Sequence, residues 1–157
     1  MRKKMINPTE QQSGSVDPLW LDLEKLAAVE VTSEAGDFPI ESAMLPGELP
    51  GWRAAIGGVQ TIRIIFDHPQ QLHRIRVNFA ESEVERTQEY LLRCSSNNGE
   101  SYQEIVRQQW NFSPTGTTHE SEDFQVDLAA VTIVELIINP DISNHHAIAS
   151  LVKLQLA

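Results

Sequence analysis

The side chains best suited to binding chemistry lie in four segments that separate stretches of alternating apolar residues. They are Arg53, Glu81, Arg86, Trp110, Asn111, Phe112, His145 and His146. An aromatic ring can stack on the apolar C–H face of a sugar, while amides, guanidinium groups and carboxylates bind neighbouring hydroxyls in pairs. The set therefore predicts a carbohydrate-binding surface on which Trp110 and Phe112 stack and the polar members form hydrogen bonds.

Several of these residues also have a purely structural interpretation. Trp52, directly before an apolar run, is expected to fill the end of the core, and the two stacking rings could do the same. Glu81 belongs to an acidic run that is also typical of a solvated loop. His145 and His146 are adjacent, and neighbours in an extended chain point to opposite sides, so one metal ion would rarely bind both. We therefore predict no metal site.

The lengths of the connections between predicted strands indicate where these segments meet. Eight apolar or alternating runs predict strands near 29–33, 59–66, 72–79, 88–95, 102–109, 120–128, 131–138 and 148–156. If each strand reverses the direction of the one before it, the connections 34–58, 80–87, 110–119 and 139–147 lie at one end. All four are longer than the usual hairpin loop of about 2–5 residues, whereas those at the other end are close to it. We therefore expect a binding end made of long loops.

The alternation within the runs predicts the fold class. In 72–79, Ile75, Val77 and Phe79 occupy one face and polar residues the other, which is typical of antiparallel strands beside a core. Asn98-Gly99 is a hairpin signal between the runs 88–95 and 102–109. The sequence thus predicts an all-β fold, an eight-stranded antiparallel jelly-roll β-sandwich forming one domain over 17–157. A short amphipathic N-terminal helix is expected, with Asp17 as its cap, Pro18 as its first residue and Trp20, Leu23, Leu26 and Ala27 at helical spacing. The polar residues 1–16 are expected to be a disordered tail.

The composition restricts the classes of partner. The chain has 12 Lys+Arg and 22 Asp+Glu residues among 157, for a net charge of −10. This charge repels the phosphates of nucleic acids and anionic membranes, so neither is expected as a partner. No apolar run approaches the ~20 residues that span a bilayer. The single cysteine, Cys94, excludes an internal disulfide, and a cytoplasmic location is expected.

Five short segments occur in an order that is typical of one superfamily. They are VTSE at 31–34, GWRA at 51–54, QTIRIIFD at 60–67, YLLRCSSNNGESY at 90–102 and ASLVKL at 149–154. Residues 28–157 thereby resemble the galactose-binding-like β-sandwiches, which include discoidin, or coagulation factor 5/8 type C, domains. The resemblance implies a jelly roll that binds ligands with loops at one end, and a direct ligand contact for Arg86. Members include carbohydrate-binding modules, lipid-binding domains and intracellular protein-interaction domains, so the fold does not decide between functions.

One departure from the family pattern concerns metal binding. Calcium-binding members usually have a glutamate in the last strand, at the position that Lys153 occupies here. An ammonium group cannot serve as a calcium ligand. We therefore expect no calcium ion and no other cofactor, and Lys153 is expected either to pair with an acidic group or to point into solvent.

Motifs of enzyme active sites are missing from the sequence. It contains no nucleophile elbow, no phosphate-binding glycine loop and no metal-spaced Cys/His set, and nothing selects two carboxylates as a glycosidase pair. The expected function is therefore a non-catalytic carbohydrate-binding module. The alternative is an intracellular protein-interaction domain whose acidic surface attracts a basic partner, and an exposed apolar patch on a sheet face would favour it.

Overall fold

The computed structural model describes residues 20–157, and most of its regular structure is antiparallel β-sheet. Two short helices and eight strands occur in that range. In chain order the elements are α1 (Leu23–Leu26), β1 (Ala27–Val31), α2 (Glu41–Met44), β2 (Trp52–Arg53), β3 (Gln60–Ala80), β4 (Arg86–Ser95), β5 (Gln103–Phe112), β6 (His119–Asn139), β7 (Ser150–Leu151) and β8 (Lys153–Leu156). The prediction of an all-β antiparallel fold is confirmed.

The strands form two facing layers because the long strands β3 and β6 contribute one half to each layer. The first half of β3 pairs with β1 and with the second half of β6, which continues the layer through β4 to β5. The second half of β3 pairs with the first half of β6 and with β8. Across the core, the ring centroids of Phe79 on β3 and Tyr90 on β4 are 5.1 Å apart. This arrangement is the predicted β-sandwich.

The strands β3 and β6 correct the predicted element boundaries. The sequence predicted separate strands at 59–66 and 72–79, and at 120–128 and 131–138. In the structure each pair is one strand that continues through the bend. The register between β3 and β6 shifts between Ile65 and Arg74, and Ala130 has a φ of 54°, a left-handed conformation that alanine rarely adopts. The chain therefore changes layer through bulges instead of hairpin turns.

Alternating residues of both layers form one apolar core. The side chains of Ile64, Ile75 and Val77 on β3 are completely buried. Each such aliphatic side chain stabilises the fold by roughly 1.5–3 kcal/mol relative to an exposed one. Trp52 is 1% exposed, and its indole nitrogen donates to the backbone oxygen of Ser33 at 3.0 Å. The prediction that Trp52 fills the end of the core is confirmed.

The helices are short, and the first differs from the prediction. α1 begins at Leu23 and ends at Leu26, and Ala27 is already the first residue of β1. The predicted short helix is present, but Trp20 and Ala27, which were expected on it, lie outside it, and the backbone of Ala27 pairs with Phe66 in the sheet. The predicted cap at position 17 and the predicted tail at 1–16 lie outside the described residues. Within residues 20–157, no helix is long and apolar enough to cross a membrane.

Candidate functional site

The long connections meet at one end of the sandwich, here called the loop end. It consists of the connections 32–59, 81–85, 113–118 and 140–149. The backbone amide of Glu81 donates to the oxygen of Thr118 at 2.8 Å, and the amide of Gly58 donates to the oxygen of Ala147 at 3.0 Å. These hydrogen bonds join the connections in pairs, and the side chain of Arg86 joins the pairs to each other.

Arg86 lies at the start of β4 beneath the loops, and its side chain is 1% exposed. Its Nε donates to Glu81 Oε1 at 2.8 Å, and its Nη1 donates to Gln88 Oε1 at 3.0 Å and to the backbone oxygen of Pro140 at 2.8 Å. The predicted meeting of the four long connections is thereby confirmed. The predicted direct contact of Arg86 with a ligand disagrees with this burial, because the guanidinium group already holds the loops together from inside.

Glu81 connects Arg86 to the surface of the loop end. Burial alone would raise the pKa of Glu81, but hydrogen bonds from the Arg86 side chain and from the Glu83 amide outweigh it, so the pKa is lowered. The amide of Glu83 donates to Glu81 Oε2 at 3.2 Å. The carboxylate is therefore ionised at neutral pH, and both of its oxygens are held in place.

A cleft of about 200 Å³ opens beside Glu81, between the connection 32–59, the connection 81–85 and β7. Its aromatic and polar lining residues include Phe38, Arg53, Glu81, Ser82, Glu83 and Ser150. Arg53 is exposed, and its guanidinium carbon lies 5.1 Å from the centre of the Phe38 ring. The cleft thus combines a cation, carboxylates and hydroxyls, which are groups that hydrogen-bond to small polar ligands. Of the predicted residues, it brings together Arg53 and Glu81.

The backbone at Gly51 places Arg53 beside the cleft. Gly51 has a φ of 87°, and a Cβ atom built on it would lie 2.6 Å from the backbone oxygen of Leu151. Only glycine permits both this conformation and this approach. As a result, Trp52 pairs with Leu151 and Arg53 pairs with Ser150 between β2 and β7. A side chain at position 51 would shift β2 and move the guanidinium group.

The predicted stacking residues Trp110 and Phe112 face inward on β5. Phe112 is completely buried, with the guanidinium carbon of Arg86 4.8 Å from its ring centre. Trp110 is half-buried against the core, and its indole nitrogen is buried. The prediction that Phe112 stacks on a sugar is corrected by the structure, since none of its ring reaches the surface. The physical reason is the pairing of Phe112 with Arg86, which places both side chains on the inner face.

The remaining predicted residues are exposed and do not line the cleft. The Asn111 side-chain oxygen accepts a hydrogen bond from Thr87 Oγ1 at 3.0 Å. His145 and His146 are exposed, with ring centroids 6.1 Å apart. A Cβ atom at Gly57 would lie 2.6 Å from the backbone oxygen of His146, so glycine is required there for the close approach. The structure therefore separates these three predicted residues from the two that line the cleft.

Two buried polar residues near the loop end were not predicted. Gln88 is completely buried on β4, and Glu120 is 2% exposed at the start of β6. Burial, followed by the charge of Glu122, raises the pKa of Glu120 to about 7. The sequence did contain a signal for both. Gln88 lies two residues from the buried Tyr90, and Glu120 lies four residues from Phe124, so the alternation turns both polar side chains toward the core.

Lys153 occupies the family's calcium-ligand position and takes neither of the two predicted arrangements. Its Nζ donates to the backbone oxygens of Leu45 at 2.8 Å and Gly47 at 3.1 Å. Burial lowers the pKa of this ammonium group. The residues present do not fit a calcium ion, because the ammonium already takes up these oxygens and would repel a second cation. Among residues 20–157, no group of three or more His, Cys, Asp or Glu side chains is placed to hold a metal ion.

Known structures are similar to this chain, although no family model and no curated protein match its sequence. The family 32 carbohydrate-binding module of C. perfringens NanJ, in complex with galactose, is 13% identical with a TM-score of 0.61, over 83% of this chain and 92% of that one. The family 32 module of AlyQ, in complex with 4,5-unsaturated mannuronic acid, is 15% identical with a TM-score of 0.55, over 85% and 95%. A Ruminococcus gnavus GH29 fucosidase in complex with fucose is 8% identical with a TM-score of 0.67, over 94% of this chain and 28% of the enzyme.

The likeness rests on the path of the backbone, because few residues are identical. The two layers, the bent strands β3 and β6 and the cluster of long connections at one end agree with the resemblance that the five sequence segments carry. Residues 20–157 therefore adopt the galactose-binding-like β-sandwich fold that is found in family 32 carbohydrate-binding modules.

Proposed function

We propose that this chain is a non-catalytic carbohydrate-binding module that binds a sugar in the cleft at the loop end. The observation that carries the proposal is the exposed Arg53 guanidinium, stacked on Phe38 in the same cleft as the ionised Glu81. A guanidinium group donates hydrogen bonds in pairs and a carboxylate accepts them, which suits neighbouring hydroxyls of a sugar ring. Modules of similar fold are known in complex with galactose and with an unsaturated mannuronic acid, and a fucosidase that contains a region of similar fold is known in complex with fucose.

The charges around the cleft favour a neutral sugar over an acidic one. Arg53 contributes one positive charge, and Glu81 and Glu83 contribute two negative charges, of which Arg86 neutralises the first from below. The cleft is thus close to neutral, while the chain as a whole carries −10. A uronic acid would place its carboxylate near Glu83 and in the negative field of the chain, which costs affinity.

Calorimetric titration with neutral sugars and uronic acids tests this proposal. Arg53→Ala is expected to weaken binding of a neutral sugar about tenfold or more, since hydrogen bonds to a charged group contribute about 1.5–3 kcal/mol. Arg107→Ala is the matched control, because Arg107 is also exposed but pairs with Glu89 and Glu104 on a sheet face. Unchanged affinity in Arg53→Ala, or an equal loss in the control, would contradict binding in the cleft.

A protein partner is the second candidate, favoured by exposed aliphatic side chains. The exposed large hydrophobic residues of the described chain are Leu49, Ile56, Val59, Val84, Ile142 and Ile148. All six lie in connections of the loop end, so the sheet-face patch that was expected to favour a protein partner does not occur among the described residues, and the candidate rests on the loop end instead. Aliphatic surface beside acidic residues suits a basic, amphipathic protein segment. We also propose that the protein is cytoplasmic, a location that would suit a protein partner better than a secreted sugar.

Crosslinking in a cell extract separates the two candidates. A partner that is crosslinked to the wild type but not to the double variant Ile56→Ser, Val84→Ser would favour protein binding at the loop end. Sugar affinity that is unchanged in the same double variant but lost in Arg53→Ala would favour the carbohydrate-binding module.

A further inference from the structure

Five buried polar atoms on the core side of the loop end have no hydrogen-bond partner among residues 20–157. They are Arg86 Nη2, Gln88 Nε2, Tyr90 OH, Trp110 Nε1 and Glu120 Oε1. Buried polar groups in folded proteins nearly always have a partner, because an unpaired one keeps the full cost of leaving water. No other buried side-chain nitrogen or oxygen of residues 20–157 lacks a partner, so a shared cause is expected for all five.

The strand register brings four of these groups to the inner face of one layer. Arg86, Gln88 and Tyr90 follow each other at two-residue intervals along β4, and all three are buried. Trp110 on β5 is the direct neighbour of Gln88. Side chains at such paired positions start roughly 5 Å apart, and residues two apart on a strand are about 7 Å apart. The four groups therefore face the same stretch of the space between the two layers.

Glu120 approaches the same space from the facing layer. It pairs with Phe79, whose ring centroid is 5.1 Å from that of Tyr90. After burial itself, the charges of Glu120 and Glu122 are the causes that raise the pKa of the Tyr90 hydroxyl, which also places these carboxyl groups near it. The unpaired carboxyl oxygen of Glu120 thus faces the donors of β4 and β5 from the other layer.

We propose that this space is an internal water-binding site, in which ordered water molecules bridge the donors on β4 and β5 to Glu120. Arg86, Gln88 and Trp110 offer only donors there, Tyr90 can donate or accept, and the Glu120 oxygen accepts. Donors outnumber acceptors, so direct pairing cannot satisfy all five groups. A water molecule accepts as well as donates, and a buried one makes about three hydrogen bonds, so about two waters satisfy the set.

The water site extends a network that begins in the cleft. Glu81 accepts from Arg86, and Arg86 donates to Gln88, whose nitrogen is one of the five atoms. The bound water continues this path to Glu120 in the core. The side chain that holds Glu81 in the cleft is thereby itself held by a hydrated network inside the sandwich.

The variant Tyr90→Phe tests the site, because it removes the hydroxyl and keeps the ring that packs on Phe79. Tyr102→Phe is the matched control, since the Tyr102 hydroxyl donates to Glu135 Oε2 at 3.1 Å. If water bridges the Tyr90 hydroxyl, both variants raise the equilibrium constant for unfolding, by about fivefold each. A Tyr90→Phe protein as stable as the wild type, or more stable, means that the hydroxyl has no partner and overturns the proposal.

A second measurement detects the water itself in the wild-type protein. Nuclear Overhauser effects from long-lived water to the indole N–H of Trp110 are expected in NMR spectra. The indole N–H of Trp52 serves as the control, because it donates to the Ser33 oxygen and is expected to show no such effect. If Trp110 shows no contact with water, the water site is refuted even when Tyr90→Phe is destabilised.

Discussion

Replacing Glu120 by glutamine is expected to remove a pH-dependent loss of stability. Burial, with a smaller contribution from Glu122, raises the pKa of Glu120 from 4.5 to about 7. Between these two values the unfolded chain is ionised at this position, while the folded chain keeps the proton. Unfolding therefore releases a proton, and a rise in pH favours the unfolded state. The contribution of Glu120 to stability is complete below pH 4.5 and is lost as the pH rises through about 7.

The size of the effect follows from the difference between the two pKa values. From 4.5 to about 7, at ~1.4 kcal/mol per unit, the wild type loses about 3 kcal/mol of unfolding free energy. This is a large part of the 5–15 kcal/mol or so that is typical of folded proteins. Glutamine has nearly the same shape and carries no titrating proton, so the variant does not lose this part. The titratable and charged groups that face Glu120 are Glu122, Tyr90 and, from the start of β4, Arg86, and all three remain in the variant.

Urea unfolding of wild type and Glu120→Gln at a series of pH values measures this difference. From about pH 4 to about pH 8, the wild type should lose about 3 kcal/mol more unfolding free energy than the variant. Glu104→Gln is the control, because Glu104 is an exposed carboxylate on β5 and its substitution should leave the wild-type profile in place. Parallel profiles for the wild type and Glu120→Gln would refute the reasoning and show that the folded protein accommodates the ionised carboxylate.

Two further predictions concern charged groups outside this cluster. Hydrogen bonds from Arg74, and then from Arg76, outweigh burial and lower the pKa of Asp123 from 3.8 to about 2. The stabilising contribution of Asp123 is therefore complete above pH 3.8 and is lost as the pH falls through about 2. At low pH, the urea unfolding midpoint of Asp123→Asn should therefore fall less than that of the wild type. Identical pH dependence of the two midpoints would contradict this prediction. Lys153→Met removes the donor to two backbone carbonyls and is expected to lower the unfolding free energy by about 1–3 kcal/mol. The wild-type melting temperature should not respond to calcium or a chelator, and a rise with calcium would disprove the assignment of Lys153.

The sheet and its faces were predictable because they depend on local patterns. Ile75, Val77 and Phe79 are buried on β3, as the two-residue period requires. Asn98 and Gly99 predicted a turn between two paired strands, and both have a positive φ, 59° and 88°, in the connection 96–102 between β4 and β5. In both cases a few neighbouring residues determine the backbone, so no distant contact had to be known.

The candidate site was predictable in its position but only partly in its residues. Counting the connections placed the long connections at one end, and Arg53 and Glu81 line the cleft there. Arg86 and Phe112 were expected on the surface and are buried instead. At the end of a strand, a shift of one residue in register turns a side chain from the surface to the core. The alternation from Tyr90 through Gln88 extends to Arg86, but the two strands were predicted to stop short of Arg86 and Phe112. Only the pairing of these two residues shows that β4 and β5 continue that far.

The sequence by itself determined the β class, the inward and outward faces of the strands and the end at which the long connections lie. These properties follow from a two-residue period and from chain lengths, which act over short distances. Only the tertiary structure decided that β3 and β6 continue through their bends and that Arg86 is enclosed by Glu81, Gln88 and Pro140. A bulge and a buried guanidinium group are stable only when distant strands supply the matching hydrogen bonds, and those partners exist only once the layers have packed.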